Sequence, residues 1–274
     1  MRFANCVMAL SAPFLFVGGG CQRSHSEATP LAVSKPKDAA VPPETHAPEA
    51  LVGEWLGPLD DALGRAAGSV AMAVGARERR PMVVAVHGAE SRPDWMCSAI
   101  RASVGPYPFV VCPHPVARRD TLASWRSAEQ VRLEVARSVA SAKDRFGPWL
   151  DVDDALYIGH SQGGMLAPEA LDHREAIRFR YAIFFEGLPS NGPVAKRQLL
   201  SAKVERALFF SGQSGWAPAH LQFAKSFLGT DLTARHVHET TGHFFGAAIY
   251  ARLRSELPWV VSGSSRWEPA LLAL

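Results

Sequence analysis

A serine between two glycines, in Gly159-His160-Ser161-Gln162-Gly163, is the stretch of this chain best suited to covalent chemistry. A hydroxyl is a weak nucleophile until a base takes its proton and donors hold the charge that builds on the carbonyl it attacks. Residues of both kinds are present. His243, in Thr241-Gly242-His243-Phe244, offers an imidazole able to serve as general base. His87-Gly88 closes the apolar run Met82–Val86, and the N–H of the following Ala89 (or of Glu90), paired with the N–H of Gln162, would bind an oxyanion. One such donor is worth about 2.7–4 kcal/mol.

These residues can meet only if strands deliver them to one edge of a sheet. Strands are expected at Ser69–Val74, Met82–His87, Phe109–Cys112, Ala155–Gly159, Tyr181–Phe185, Ala207–Phe210 and Leu232–Val237. The runs MVVAV, ALYI, YAIFF and ALFF are almost wholly apolar, so both faces of those strands must be covered, as in a parallel sheet between helical layers. The clearest helix runs from Ser127 to Phe146. Its residues Ala128, Val131, Val135, Val139, Ala142 and Phe146 form one stripe, and Ser127 and Gln130 have capping-box spacing. Further helices are expected over Gln162–Asp172, Pro193–Lys203, Pro218–Leu228 and Phe244–Glu256. The alternation predicts an α/β domain with an open, mostly parallel twisted sheet and helices on both faces. A strand entering, a helix leaving and small residues at 159 and 163 make Ser161 the tip of a sharp turn.

A strand ending in His-Gly, a G-H-S-Q-G turn and a Gly-His after the last strand occur in the order seen in the α/β-hydrolase family, which this chain resembles from Met82 to Phe244. The resemblance implies Ser161 as nucleophile, His243 as base, and hydrolysis of an ester (or amide) through an acyl-enzyme. It also implies an acid. Many members carry Asp four positions into the segment after the penultimate strand, but here that position is Gly215. Another family arrangement places the acid one strand earlier, where Glu186 follows Tyr181–Phe185; Asp231, Glu239, or a base oriented by neutral groups or water are the alternatives. The interval from Glu186 to the next strand is filled by one expected helix, which leaves no room for a separate cap domain. The competing expectations are a non-catalytic envelope binding module on the same fold, favoured by the missing Asp, and a peptidase or thioesterase of that fold.

The remaining reactive residues have plainer explanations. His87 and His160 flank the site and read as packing or hydrogen-bonding residues, and His236 and His238 alternate on a strand without a third metal ligand at a recognisable spacing. No cofactor and no metal is called for. Trp125 and Trp216 fall in loops near strand ends, as pocket-lining residues or as the edge of the core. Cys97 and Cys112 are expected to form a disulfide worth roughly 3 kcal/mol, with two buried thiols as the alternative.

The N-terminus reads as an address. Residues 1–21 combine Arg2, the apolar segment Val7–Val17 and Gly18-Gly19-Gly20-Cys21, the layout of a secretory signal. A cysteine after small residues resembles the processing box of bacterial lipoproteins, which implies lipidation of Cys21. Gln22 in place of Asp then implies the outer membrane, and ordinary secretion is the alternative. Residues 22–50 hold five prolines and no aromatic or glycine, so they are expected to be a disordered tether that spans up to about 3.1 Å per residue. The folded domain is then 51–274. It holds 22 of the chain's 25 aromatics, which excludes a disordered chain, and its near-neutral charge disfavours nucleic acid as a partner. The expected partners are a small-molecule or acyl-ester substrate, and the membrane through the lipid anchor alone.

Overall fold

The computed structural model describes residues 48–116, 118, 120–172 and 177–274. The signal, Cys21 and the tether up to residue 47 lie outside the described residues. In chain order the elements are β1 (Leu56–Asp60), β2 (Ala66–Ala71), β3 (Arg80–Val86), α1 (Pro93–Val104), β4 (Phe109–Pro113), α2 (Ala128–Phe146), β5 (Leu150–His160), α3 (Gln162–Leu171), β6 (Phe179–Phe185), α4 (Gly192–Ser201), β7 (Arg206–Ser211), α5 (Ala217–Lys225), β8 (Thr233–His238), α6 (Ala247–Val260) and α7 (Glu268–Leu272).

The strands form one sheet in the order β1-β2-β4-β3-β5-β6-β7-β8. β2 runs antiparallel to both its neighbours, and all other pairs are parallel. Because side chains alternate across a strand, each central strand feeds two cores. Val84, Tyr157, Phe184 and Phe209 face the layer of α2, α3, α4 and α5. Val83, Ile158, Ile183 and Phe210 face α1 and α6. Double-sided burial is what the near-continuous apolar runs require.

The stripe expected on α2 is buried in full, and Ser127 Oγ accepts from the N–H of Gln130. The disulfide Cys97–Cys112 joins α1 to β4, with the two Cα atoms 5.8 Å apart. Among the described residues α4 is the one helix between β6 and β7, and no cap domain stands there.

Several elements differ from expectation: β5 starts at Leu150 rather than Ala155, α7 has no expected counterpart, and β1, β2 and α6 differ for visible reasons. β1 contains Gly57 and Pro58 and buries only Leu59, so it lacks an apolar run to announce it; an edge strand tolerates both residues. β2 lies three residues before the expected segment, because its pairing with β1 and β4 ends at Ala71. α6 begins at Ala247 rather than Phe244, because Gly246 is fully extended at φ −159°. Phe244 and Phe245 therefore stay in the loop beside His243.

Candidate active site

β5 ends in His160, and the chain turns into α3 through Ser161, whose φ of 50° and ψ of −116° lie in a region that side chains rarely adopt. The turn holds because its neighbours are close-packed backbone. A Cβ on Gly163 would lie 2.4 Å from Val86 O, and one on Gly159 would lie 2.8 Å from the Gly163 carbonyl. Ser161 N–H donates to Phe185 O at 2.8 Å, and its own carbonyl accepts from Gly164 and Met165. The serine is thereby tied to the end of β6 as well as to α3.

The turn after β3 packs directly on this serine, since a Cβ on Gly88 would come within 3.0 Å of Ser161 Cβ. Glu90 N–H is taken by Ser124 Oγ at 3.1 Å. Among the described residues, the N–H groups of Ala89 and Gln162 have no acceptor. The Gln162 side chain is fixed by two 2.8 Å hydrogen bonds with the backbone of Trp125, whose indole N–H donates to His87 O at 2.9 Å. Trp125 is buried, so it braces both turns instead of lining a pocket.

His243 lies in the loop between β8 and α6. His160 Nε2–H donates to the His243 carbonyl at 2.9 Å, while its ring stacks on Phe185. Burial holds the His160 imidazole down at about 4, so it serves as a neutral bracket. His243 Nδ1 faces Glu186 Oε2 at 3.3 Å. Glu186 has φ of 52° and is fully buried. Its Oε1 accepts from the backbone N–H groups of Gly212 and Gln213, and its Oε2 accepts from Gln213 Nε2 at 2.8 Å. That Nε2 also lies 3.0 Å from His243 Nδ1.

No family model matches the chain, and no curated protein matches it in sequence. Solved structures do match in shape. A carboxylesterase from Mesorhizobium loti aligns with 74% of this chain and 99% of its own, at 19% identity and a TM-score of 0.52. The esterase PE8 aligns over 74% and 100%, at 17% identity and a TM-score of 0.51. The fold is the α/β-hydrolase fold.

In this α/β-hydrolase fold, Gly215 is exposed with open space around it, and no described carboxylate from its loop reaches His243. Of the alternatives to Glu186, Asp231 precedes β8 at the opposite sheet edge from Ser161. Glu239 pairs with Arg252 at 3.5 Å. His236 and His238 both turn toward Ser211, one on its hydroxyl at 3.0 Å and the other on its carbonyl at 2.9 Å. The buried His220 adds a 2.7 Å contact to the same hydroxyl. Half-buried Trp216 packs against His220 with ring centroids 5.9 Å apart. His87 is buried, donates Nδ1–H to Gly88 O at 2.7 Å and meets His114 at 3.2 Å.

Gln213, His220 and Ser124 were not among the expected site residues. Gln213 carries a weak signal, since it lies two positions before the place where the family's Asp is missing. The other two carry none, because their partners are remote in sequence.

Proposed function

We propose that this chain is a serine hydrolase that cleaves carboxylic esters through an acyl-enzyme on Ser161. One observation carries the proposal: a serine at positive φ on a strand-to-helix turn shares a sheet edge with an imidazole whose Nδ1 faces a buried carboxylate. In the reaction, His243 Nε2 takes the Ser161 Oγ proton as Oγ attacks the carbonyl carbon. The Ala89 and Gln162 N–H groups hold the tetrahedral oxyanion. His243 passes its proton to the leaving alkoxide, then deprotonates the water that releases the acid and restores Ser161. Glu186 orients the ring and balances the imidazolium. Both structural relatives above bear esterase names, and apolar Met165 of α3 and Phe244 beside His243 are exposed; both features support an ester substrate. A fluorophosphonate probe should label the wild-type chain and leave Ser161→Ala unlabelled. Equal labelling of the two refutes Ser161 as the nucleophile, and absence of labelling refutes the proposal and favours a binding module.

The N-terminal residues support export, with Cys21 acylated and the hydrolase tethered to the cell envelope, most simply the outer membrane. The Cys97–Cys112 disulfide suits an oxidising compartment. The intact mass of membrane-extracted protein tests this assignment. It should equal the chain from Cys21 plus its lipid, and a mass that retains residues 1–20 would refute processing.

A further inference from the structure

Between Glu186 and His243 stands a polar group that the reaction above does not use. Gln213 Nε2, Glu186 Oε2 and His243 Nδ1 form a nearly equilateral triangle with sides of 2.8, 3.0 and 3.3 Å. A carboxylate only accepts hydrogen bonds, so the side-chain atom of Gln213 against Oε2 has to be its amide nitrogen. That nitrogen has two hydrogens. One can reach Oε2 and the other Nδ1, which can accept only when it carries no proton. A protonated Nδ1 would face the amide nitrogen donor to donor. The long side of the triangle agrees, because a charge-assisted N–H···O⁻ bond is normally about 2.7–2.9 Å.

We propose that Gln213 is a positioning residue that sets the tautomer of His243. In the free protein its amide holds the imidazole with the proton on Nε2, where the ring cannot act as base toward Ser161. The base becomes competent when the amide releases Nδ1 to Glu186. The ring keeps one proton throughout: Nε2 loses its proton to solvent and Nδ1 gains one from solvent, which the 32% exposure of the side chain permits. The catalytic meaning of this gate rests on the serine-hydrolase proposal, but the tautomer does not.

The groups facing the ring are few. Glu186 comes from the end of β6 and His160 from the β5–α3 turn, while His220 of α5 lies beside Glu186. His160 and His220 are both held near 4 by burial and are neutral at pH 7. Glu239 and Arg252 pair with each other.

The test is nitrogen NMR of the full chain labelled with 15N-histidine at neutral pH, with His243 assigned by the signals lost in His243→Gln. The wild type should show an unprotonated Nδ1 and a protonated Nε2. Gln213→Met, similar in size but without donors, should move the proton to Nδ1. It should also raise the acid limb of the kcat/KM profile by roughly one pH unit, because a donor to the neutral ring and a donor to Glu186 are both lost. A wild-type Nδ1 that carries the proton overturns the proposal, as does a tautomer unchanged in Gln213→Met. If Gln213→Met does not fold, the wild-type spectrum decides alone. A chain with the expected tautomer that takes up no fluorophosphonate refutes the hydrolase assignment and leaves the role of Gln213 standing.

Discussion

Replacing Glu186 by glutamine should abolish most turnover while leaving the fold intact, and the direction follows from which atom meets which donor. Glu186 Oε1 accepts from two backbone N–H groups, so the carboxamide oxygen must take that side. Its NH2 then lies on the Oε2 side, where Gln213 can turn its own oxygen inward to accept. That oxygen and the new carboxamide are both neutral, so the imidazolium formed during reaction loses its counter-charge. The expected loss is about 10²–10⁴ in kcat, or roughly 2.7–5.5 kcal/mol in the barrier. Glu186→Ala is different in kind. It removes the acceptor from buried backbone donors at about 1–3 kcal/mol each, so it should lower the melting temperature as well as turnover. The assay is kcat on a p-nitrophenyl ester beside a thermal melt of each variant. A folded Glu186→Gln that keeps kcat within about threefold of wild type would refute the assignment of this carboxylate to His243.

Three further perturbations probe the frame around the site. Gly163→Ala should cost roughly 2–4 kcal/mol in urea unfolding, because the new Cβ would lie 2.4 Å from Val86 O and neither backbone segment can retreat; a cost under about 0.5 kcal/mol would contradict the close approach. Cys97→Ala/Cys112→Ala should lose about 3 kcal/mol of stability, and alkylation of both thiols without reductant would show that the bridge is not formed. His87 and His220 are buried with values near 4 against the ordinary 6.5. Their folded values lie below their unfolded ones, so the stability they confer is complete above pH 6.5 and is lost as pH falls toward 4, on the order of 3 kcal/mol each. Urea unfolding at pH 7 and pH 5 should show the fall, with a shallower slope in His220→Asn, and equal stability at both values would refute it.

What the sequence discloses here is whatever is written locally. The double-sided strands, the α2 stripe and the strand–turn–helix around Ser161 each depend on residues within about twenty positions of one another, so hydrophobic period and small residues suffice to find them. Leu56–Asp60 fails that test because an edge strand with one buried residue needs no pattern of its own. The bracing of Gln162 by Trp125 fails it too, because the bond spans 37 positions and uses only the Trp125 backbone, which any residue could supply.

Glu186, the carboxylate proposed as the acid, shows how topology supports a choice that spacing leaves open. β6 and β7 run parallel with Phe185 beside Phe210, so the residues that follow them reach the same sheet edge next to each other. Glu186 N–H donates to Phe210 O at 3.0 Å, and the Glu186 carboxylate is capped by the backbone of Gly212 and Gln213. The imidazole requires a buried acceptor opposite Nδ1, and either strand can present one. A carboxylate on β6 needs the β7 turn to supply donors, a task that Gly212 and Gln213 perform through backbone N–H groups. An Asp at position 215 would bring a second negative charge to the β7 turn, toward a carboxylate already buried. A glycine at 215 is therefore compatible with a site whose acid is Glu186, and it gives no support by itself to a fold that has lost its chemistry.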